Sequence, residues 1–197
     1  KASVDATGGT PGRKNSTDGV NTDQTDPKLV RAYATDSVTI TLVFDEPLDS
    51  TNASAPASYS ISDGIGTPAS VTAVGPLFDR AILHLTGASA LLRNKIYTVT
   101  VTAVTDCGGN VINTSNTARV GLYEHVDNFD IVVNEILFNP RPESNDYVEI
   151  YNRSNEILNL RNVYIANRNS TGTISSIAQL SGEDYLLFPQ DFMVVTE

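Results

Sequence analysis

The sequence has no tryptophan, one methionine, one cysteine and two histidines among its 197 residues. Each scarcity removes a class of chemistry. The lone Cys107 excludes an internal disulfide framework and a cysteine-rich metal site. Its neighbours, "TDCGGN", form turns and include no basic residue, and a thiol needs nearby positive charge to become a reactive thiolate. Cys107 therefore reads as a turn residue, not a nucleophile. His84 lies in the alternating stretch "AILHLTG" on the face of Ile82, and His125 lies in a polar segment. No G-x-S-x-G or comparable motif supplies either imidazole with a nucleophile, so no catalytic residue is assigned and no enzyme is expected.

Positive charge is also scarce. Thirteen Lys and Arg stand against 23 Asp and Glu, giving a net charge of −10 that repels phosphate backbones. Arg141, Arg153, Arg161 and Arg168 are dispersed among acids, with no basic stripe and no interleaved aromatics, so no nucleic-acid partner is expected. No apolar run reaches the roughly 18 residues of a membrane-spanning helix, and no membrane span is expected.

What is present is a chain able to bury a core: 40% hydrophobic residues, 8 Tyr and 6 Phe, with 18% charged. Thr, Val and Ile alternate with a period of two in "DSVTITLVFDE" (Val38, Ile40, Leu42, Phe44), "DRAILHLTG" (Ala81, Leu83, Leu85) and "NKIYTVTVTAV" (Tyr97, Val99, Val101). That period, in β-branched residues, predicts strands. The nearest approach to a helix is "STNASAPASY", where Asn52 or Ser54 is the expected cap and Pro56 limits the helix to about one turn. The expected fold class is all-β, two Ig-like β-sandwich units in tandem.

Residues 27–123 contain at least seven strand candidates, the number an Ig-like sandwich needs. The polar joint "EHVDNFD", residues 124–130, interrupts the alternation and is read as the boundary. Beyond it "IVVNEILF", "DYVEIYN", "NVYIAN", "GTISSIAQL" and "DFMVVTE" are separated by Asn- and Gly-rich turns, so residues 131–197 again read as β. Residues 1–26 are polar and Gly-rich, a linker or the tail of a preceding module.

Carboxylates are the candidates for a site. Glu135 and Glu149 fall in largely apolar strands and are expected to be a buried, hydrogen-bonded pair. Hard cations take several oxygens from flexible loops, and the joint offers Glu124, Asp127, Asn128 and Asp130; Asp127, Asn128 and Asp130 are the candidate calcium ligands. The alternative for these side chains is a set of solvated acids that keep a linker soluble. A second acidic turn, Asp45, Glu46 and Asp49, follows the first alternating strand. Neither has the spacing of an EF-hand loop, and no cofactor besides calcium is suggested.

The segments "VTITLVFDEPLDSTNASAPASYSI" and "RAILHLTGASALLRNKIYTVTVTAVTDCGGNVI" resemble the bacterial Ig-like domains of multidomain surface proteins. The turn chemistry agrees, with Pro47 fixing φ after a strand and Gly108 and Gly109 permitting positive φ where the chain reverses. "IVVNEILFNP", "DYVEIYNRSNEILNLRNVYIAN" and "YLLFPQDFMVVTE" resemble the lamin tail domain, also an Ig-type sandwich. The segment from Ile131 is shorter than the roughly 100 residues such a sandwich uses, so closing strands are expected to be missing. "GTPGRKNS", Gly9 to Ser16, resembles the end of bacterial lamin tail domains, which implies an alternating array of modules.

The resemblances imply a non-catalytic structural, adhesion or binding module of a secreted or cell-surface bacterial protein, with a protein or carbohydrate ligand. The alternative is the accessory region of a larger extracellular hydrolase or nuclease. An edge strand left open at "FMVVTE" would make the C-terminal half either self-associating as a dimer or less stable than the N-terminal half.

Overall fold

The computed structural model describes residues 23–138 and 145–196. The segment "GTPGRKNS" lies outside the described residues. The chain is all-β, and its first seven strands are β1 (Leu29–Asp36), β2 (Thr39–Phe44), β3 (Tyr59–Ile61), β4 (Ser70–Ala73), β5 (Arg80–His84), β6 (Tyr97–Val101) and β7 (Thr117–Val120). They form two antiparallel sheets, ordered β1-β2-β5-β4 and β3-β6-β7. The expected alternation fills the space between them: Ile40, Leu42 and Phe44 from β2, Ala81 and Leu83 from β5, and Tyr97, Val99 and Val101 from β6 share one buried core. Burying a Leu or Val side chain removes apolar surface worth roughly 1.5–3 kcal/mol from water, so these rows hold the two sheets together.

The loop after β2 contains the one-turn helix α1 (Ser50–Ala53), which ends before Pro56. Its N-cap is Asp49, earlier than the expected Asn52 or Ser54: the Asp49 carboxylate accepts from the backbone N–H groups of Thr51 and Asn52 at 3.0 and 2.9 Å. A side-chain oxygen one residue ahead of the first turn satisfies two otherwise orphaned donors, which neither Asn52 nor Ser54 is placed to do.

Seven further strands follow: β8 (Ile131–Leu137), β9 (Tyr147–Asn152), β10 (Leu158–Asn159), β11 (Tyr164–Arg168), β12 (Ile174–Gln179), β13 (Leu186–Leu187) and β14 (Phe192–Thr196). The sheet β14-β9-β8 packs against the pair β10-β13 and the turn that follows β10 through Ile150, Leu160 and Leu187, with Val148, Val163 and Met193 alongside. Asn152 is fully buried at the end of β9 and is used to its limit. Its Nδ2 donates to the carbonyls of Glu156 and Leu187 at 2.8 and 3.0 Å, and its Oδ1 accepts from the Ser154 backbone N–H and hydroxyl at 3.0 and 2.7 Å. That one amide closes the turn after β9 and ties it to β13.

β1 and β2 are covered on both sides. Tyr33 and Val43 point away from the first core and are buried instead against Ile157, Leu186 and Phe188. This explains the nearly continuous burial of "TITLVF": the strand has a core on each face.

Candidate functional site

Two places gather the polar residues that the apolar pattern leaves over. The first rims the seam between β1–β2 and the C-terminal strands. Glu183 bridges two arginines of the N-terminal strands, Arg31 in β1 and Arg80 in β5, the latter at 2.5 Å. Arg31 Nε also donates to the Asp184 carbonyl at 3.3 Å. Hydrogen bonding from Arg80 holds the Glu183 carboxyl below the usual range against the opposing pull of burial, with the charges of Arg80 and Arg31 adding to the effect. On another side Arg119 of β7 lies over the Phe188 ring, 4.3 Å from its centroid, and pairs with Asp191. At the joint, Glu124 pairs with Arg93, and its backbone N–H donates to the Ile157 carbonyl at 2.8 Å. An apolar centre ringed by charged pairs is the anatomy of a specific protein interface, here formed within one chain.

The second place is the turn "DCGGN". Asp106, only 3% exposed, accepts from the backbone N–H of Gly108 and Asn110 at 2.7 and 2.8 Å and from Asn110 Nδ2 at 2.8 Å. Burial works against its ionisation, but the Asn110 side chain and the turn's N–H donors outweigh it and hold the carboxyl below its ordinary value. Of the two glycines only Gly109 has a positive φ, 91°. Cys107 is exposed in this turn with its thiol 3.7 Å from the Leu48 carbonyl, as a turn residue would be. Asp23 and Glu46 bring a carboxylate oxygen each to within 4.8 Å of Asp106 and of one another. Burial raises the Glu46 carboxyl above its ordinary value, and the charges of Asp106, Asp23 and Asp45 raise it further. Three such oxygens are the donor type a hard divalent cation takes. The bonds to Asp106 show what it does in this structure, which is to hold the turn. Of the acidic turn noted in the sequence, Glu46 joins this cluster, Asp45 caps the Lys28 backbone N–H at 2.7 Å, and Asp49 caps α1.

The joint's own acids serve the joint. Asp130 Oδ2 accepts from the Asp127 backbone N–H at 2.7 Å, the Asp130 N–H returns to the Asp127 carbonyl at 3.3 Å, and Asn128 is exposed between them. Among the described residues, carboxylates converge in threes at Asp23, Glu46 and Asp106, away from Asp127 and Asp130.

Glu135 and Glu149 are neighbours, directly paired across β8 and β9, but they are not buried. Glu149 alternates onto the outer face of β9 with Tyr147 and Tyr151, and a bulge between Val133 and Glu135 shifts the register of β8 so that Glu135 joins it there. The Tyr147 hydroxyl donates to Glu135 at 2.6 Å and Asn134 Nδ2 to Glu149 at 2.7 Å, which offsets the repulsion of like charges in register. His84 is half-buried in β5 and His125 exposed in the joint, and among the described residues neither imidazole has a hydrogen-bond partner.

Residues 14–123 match the family described as bacterial Ig-like domain. The chain belongs to the bacterial Ig-like family. The Ig-like match spans both sheets of the first core, the Asp106 turn and Arg31, Arg80 and Arg119 of the seam. No curated protein matches the chain. Among solved structures it is similar to the N-terminal part of the bacterial S-layer protein SbsC, at 21% identity with a TM-score of 0.45, covering 85% of this chain and 45% of that one. A structure of SbsC domains 1–6 aligns at 21% identity and a TM-score of 0.44, over 85% of this chain and 26% of that one. The chain thus spans less than half the length of these structures.

The Ig-like signature was readable in the sequence; the seam was not. Arg31, Arg80, Arg119, Glu183 and Asp191 sit far apart along the chain and carry no motif. The signal that could have exposed them is β2 itself, apolar on both faces where a two-layer sandwich requires apolar residues on one.

Proposed function

We propose that the chain is a non-catalytic structural and adhesion module of an extracytoplasmic bacterial protein, cell-surface or secreted. In this reading two β-sandwich modules, residues 27–123 and 131–197, are locked by the joint at 124–130 into one stiff spacer. The second module is read as lamin-tail-like on the residues quoted above. The observation that carries the reading is the seam, where Tyr33 and Val43 are buried against Ile157, Leu186 and Phe188 inside a ring of arginine–carboxylate pairs. A linker that only tethers would leave those residues wet; burying them fixes an angle between modules, which is what a spacer in an assembled surface needs. Membership in the bacterial Ig-like family and the excess of acids agree with this reading. Among the described residues no helix is long and apolar enough to cross a membrane.

The test is protease shaving of intact producing cells, with peptides from residues 27–196 identified in the released fraction and in culture medium. Recovery from either without lysis supports the reading, and recovery only after lysis overturns it. Hydrolase or nuclease activity carried by the same polypeptide would make the module a tether for that domain, whereas activity in these residues alone would contradict the non-catalytic role.

A further inference from the structure

The joint and the turn at Leu160–Asn162 enclose an open groove of about 870 Å³, within the roughly 300–1,000 Å³ of small-ligand sites. Two tyrosines stand in its lining, Tyr123 and Tyr164, 41% and 54% exposed. Its charged side chains are balanced. Arg161 Nη1 lies 3.2 Å from Asp184 Oδ2, Asp184 Oδ1 accepts from Asn159 Nδ2 at 2.7 Å, and Glu124 is paired with Arg93. By contrast the Asn162 amide, the His125 imidazole and the hydroxyls of Tyr123 and Tyr164 have no hydrogen-bond partner among the described residues.

These facts select a ligand class. A groove whose charges are already paired gains little from a charged ligand, and a chain of net charge −10 repels phosphorylated or uronic-acid polymers. An extended peptide needs a run of free backbone along a strand edge, but here the Leu160 N–H is bonded to the Tyr185 carbonyl at 2.9 Å and the Tyr185 N–H to Asn159 Oδ1 at 3.3 Å, and β11 reaches the groove with Tyr164 alone. What remains is a neutral molecule with flat C–H faces and a rim of hydroxyls. A pyranose ring stacks its C–H face on an exposed tyrosine, which has an apolar body and a polar tip. Adjacent hydroxyls match the donor and acceptor of one amide, such as that of Asn162. We propose that this groove binds a neutral oligosaccharide.

The proposal goes beyond the spacer role and is tested separately from it, since binding is read in solution and surface placement on intact cells. The residue 1–197 chain is run in native gels cast with soluble neutral polysaccharides, namely dextran, glucomannan, pullulan and laminarin, with carboxymethyl-dextran as the charged comparison. Retardation by at least one neutral polymer is expected. Tyr164→Ala and Asn162→Ala should each weaken it at least fivefold, while Phe192→Ala, an exposed aromatic on the β14-β9-β8 sheet, leaves it unchanged. Both groove substitutions replace exposed side chains, and unchanged thermal melts of the variants confirm that a loss belongs to the groove. No retardation in any neutral gel overturns the proposal, as do retardation indifferent to Tyr164→Ala, equal loss with Phe192→Ala, and preference for carboxymethyl-dextran.

Discussion

Gly121 and Ile157 approach so closely that a Cβ on Gly121 would fall 2.3 Å from Ile157 Cδ1. The same Cβ would lie 2.7 Å from the Lys95 carbonyl oxygen, a backbone atom that cannot swing aside. The glycine follows β7 just ahead of the joint, so its missing side chain is what lets the two halves close. Gly121→Ala should therefore destabilise the chain by roughly 1–3 kcal/mol, the usual cost of overpacking. Urea unfolding followed by circular dichroism would measure it, and a change under about 0.5 kcal/mol, the size of a neutral surface substitution, would show that the approach is not tight.

Asn152 should be equally intolerant. Asn152→Asp turns a donor that faces two carbonyls into a charge with no proton to give, in a fully buried position. The expected loss is at least about 2–3 kcal/mol at neutral pH, partly recovered in acid where the carboxyl can donate again. Denaturant titrations of the variant at two pH values would show whether that recovery occurs.

The carboxylates predict how stability varies with pH, and they act in opposite directions. The Glu46 carboxyl is raised, so its contribution is complete below its ordinary value of 4.5 and is lost as pH rises through the higher folded value. Asp106 and Glu183 are lowered; their contributions are present above the ordinary values of 3.8 and 4.5 and are lost as pH falls through the folded ones. Glu46→Gln should therefore raise stability at neutral pH relative to the parent and remove the pH dependence just above 4.5. Asp106→Asn, by removing a neighbouring negative charge, should bring the Glu46 midpoint down in a carbon-13 NMR titration; an unmoved midpoint would mean the two carboxylates do not sense each other.

Local stability should be uneven. Among the described residues β11 and β12 pair only with each other and are largely exposed, with Tyr164, Ile174 and Ile177 on the surface, whereas β6 is central in its sheet and Val99 is fully buried. Amides of the β11-β12 hairpin should exchange with deuterium well before those of β6. Protection of the hairpin equal to that of β6 in a strictly concentration-dependent manner would instead indicate that a second copy covers it.

The parts of this fold that were legible from sequence are those governed by local period. Ile40, Leu42 and Phe44 named their strand and its core face, and the turn residues around Pro47 and Gly109 marked its reversals. Register across strands was only half legible: Glu135 and Glu149 were expected as a pair, but it is a one-residue bulge at Asn134 that brings Glu135 to the exposed face of Glu149. Groupings made by tertiary closure were invisible. Asp23, Glu46 and Asp106 meet through three separate loops, and Val43 finds Phe188 across nearly the whole chain. Spacing carries no information about such contacts, because neither helical nor strand periodicity relates the residues involved.

A seam that is apolar at its centre and ion-paired at its rim should make the two halves tumble as one rigid body. Nitrogen-15 relaxation on the chain measures it most directly, by comparing the rotational diffusion of amides in β1–β7 with that of amides in β8–β14. One shared tumbling tensor is expected, split into two faster ones by the double substitution Val43→Asp, Phe188→Ser. Two independent correlation times in the unsubstituted chain would contradict it.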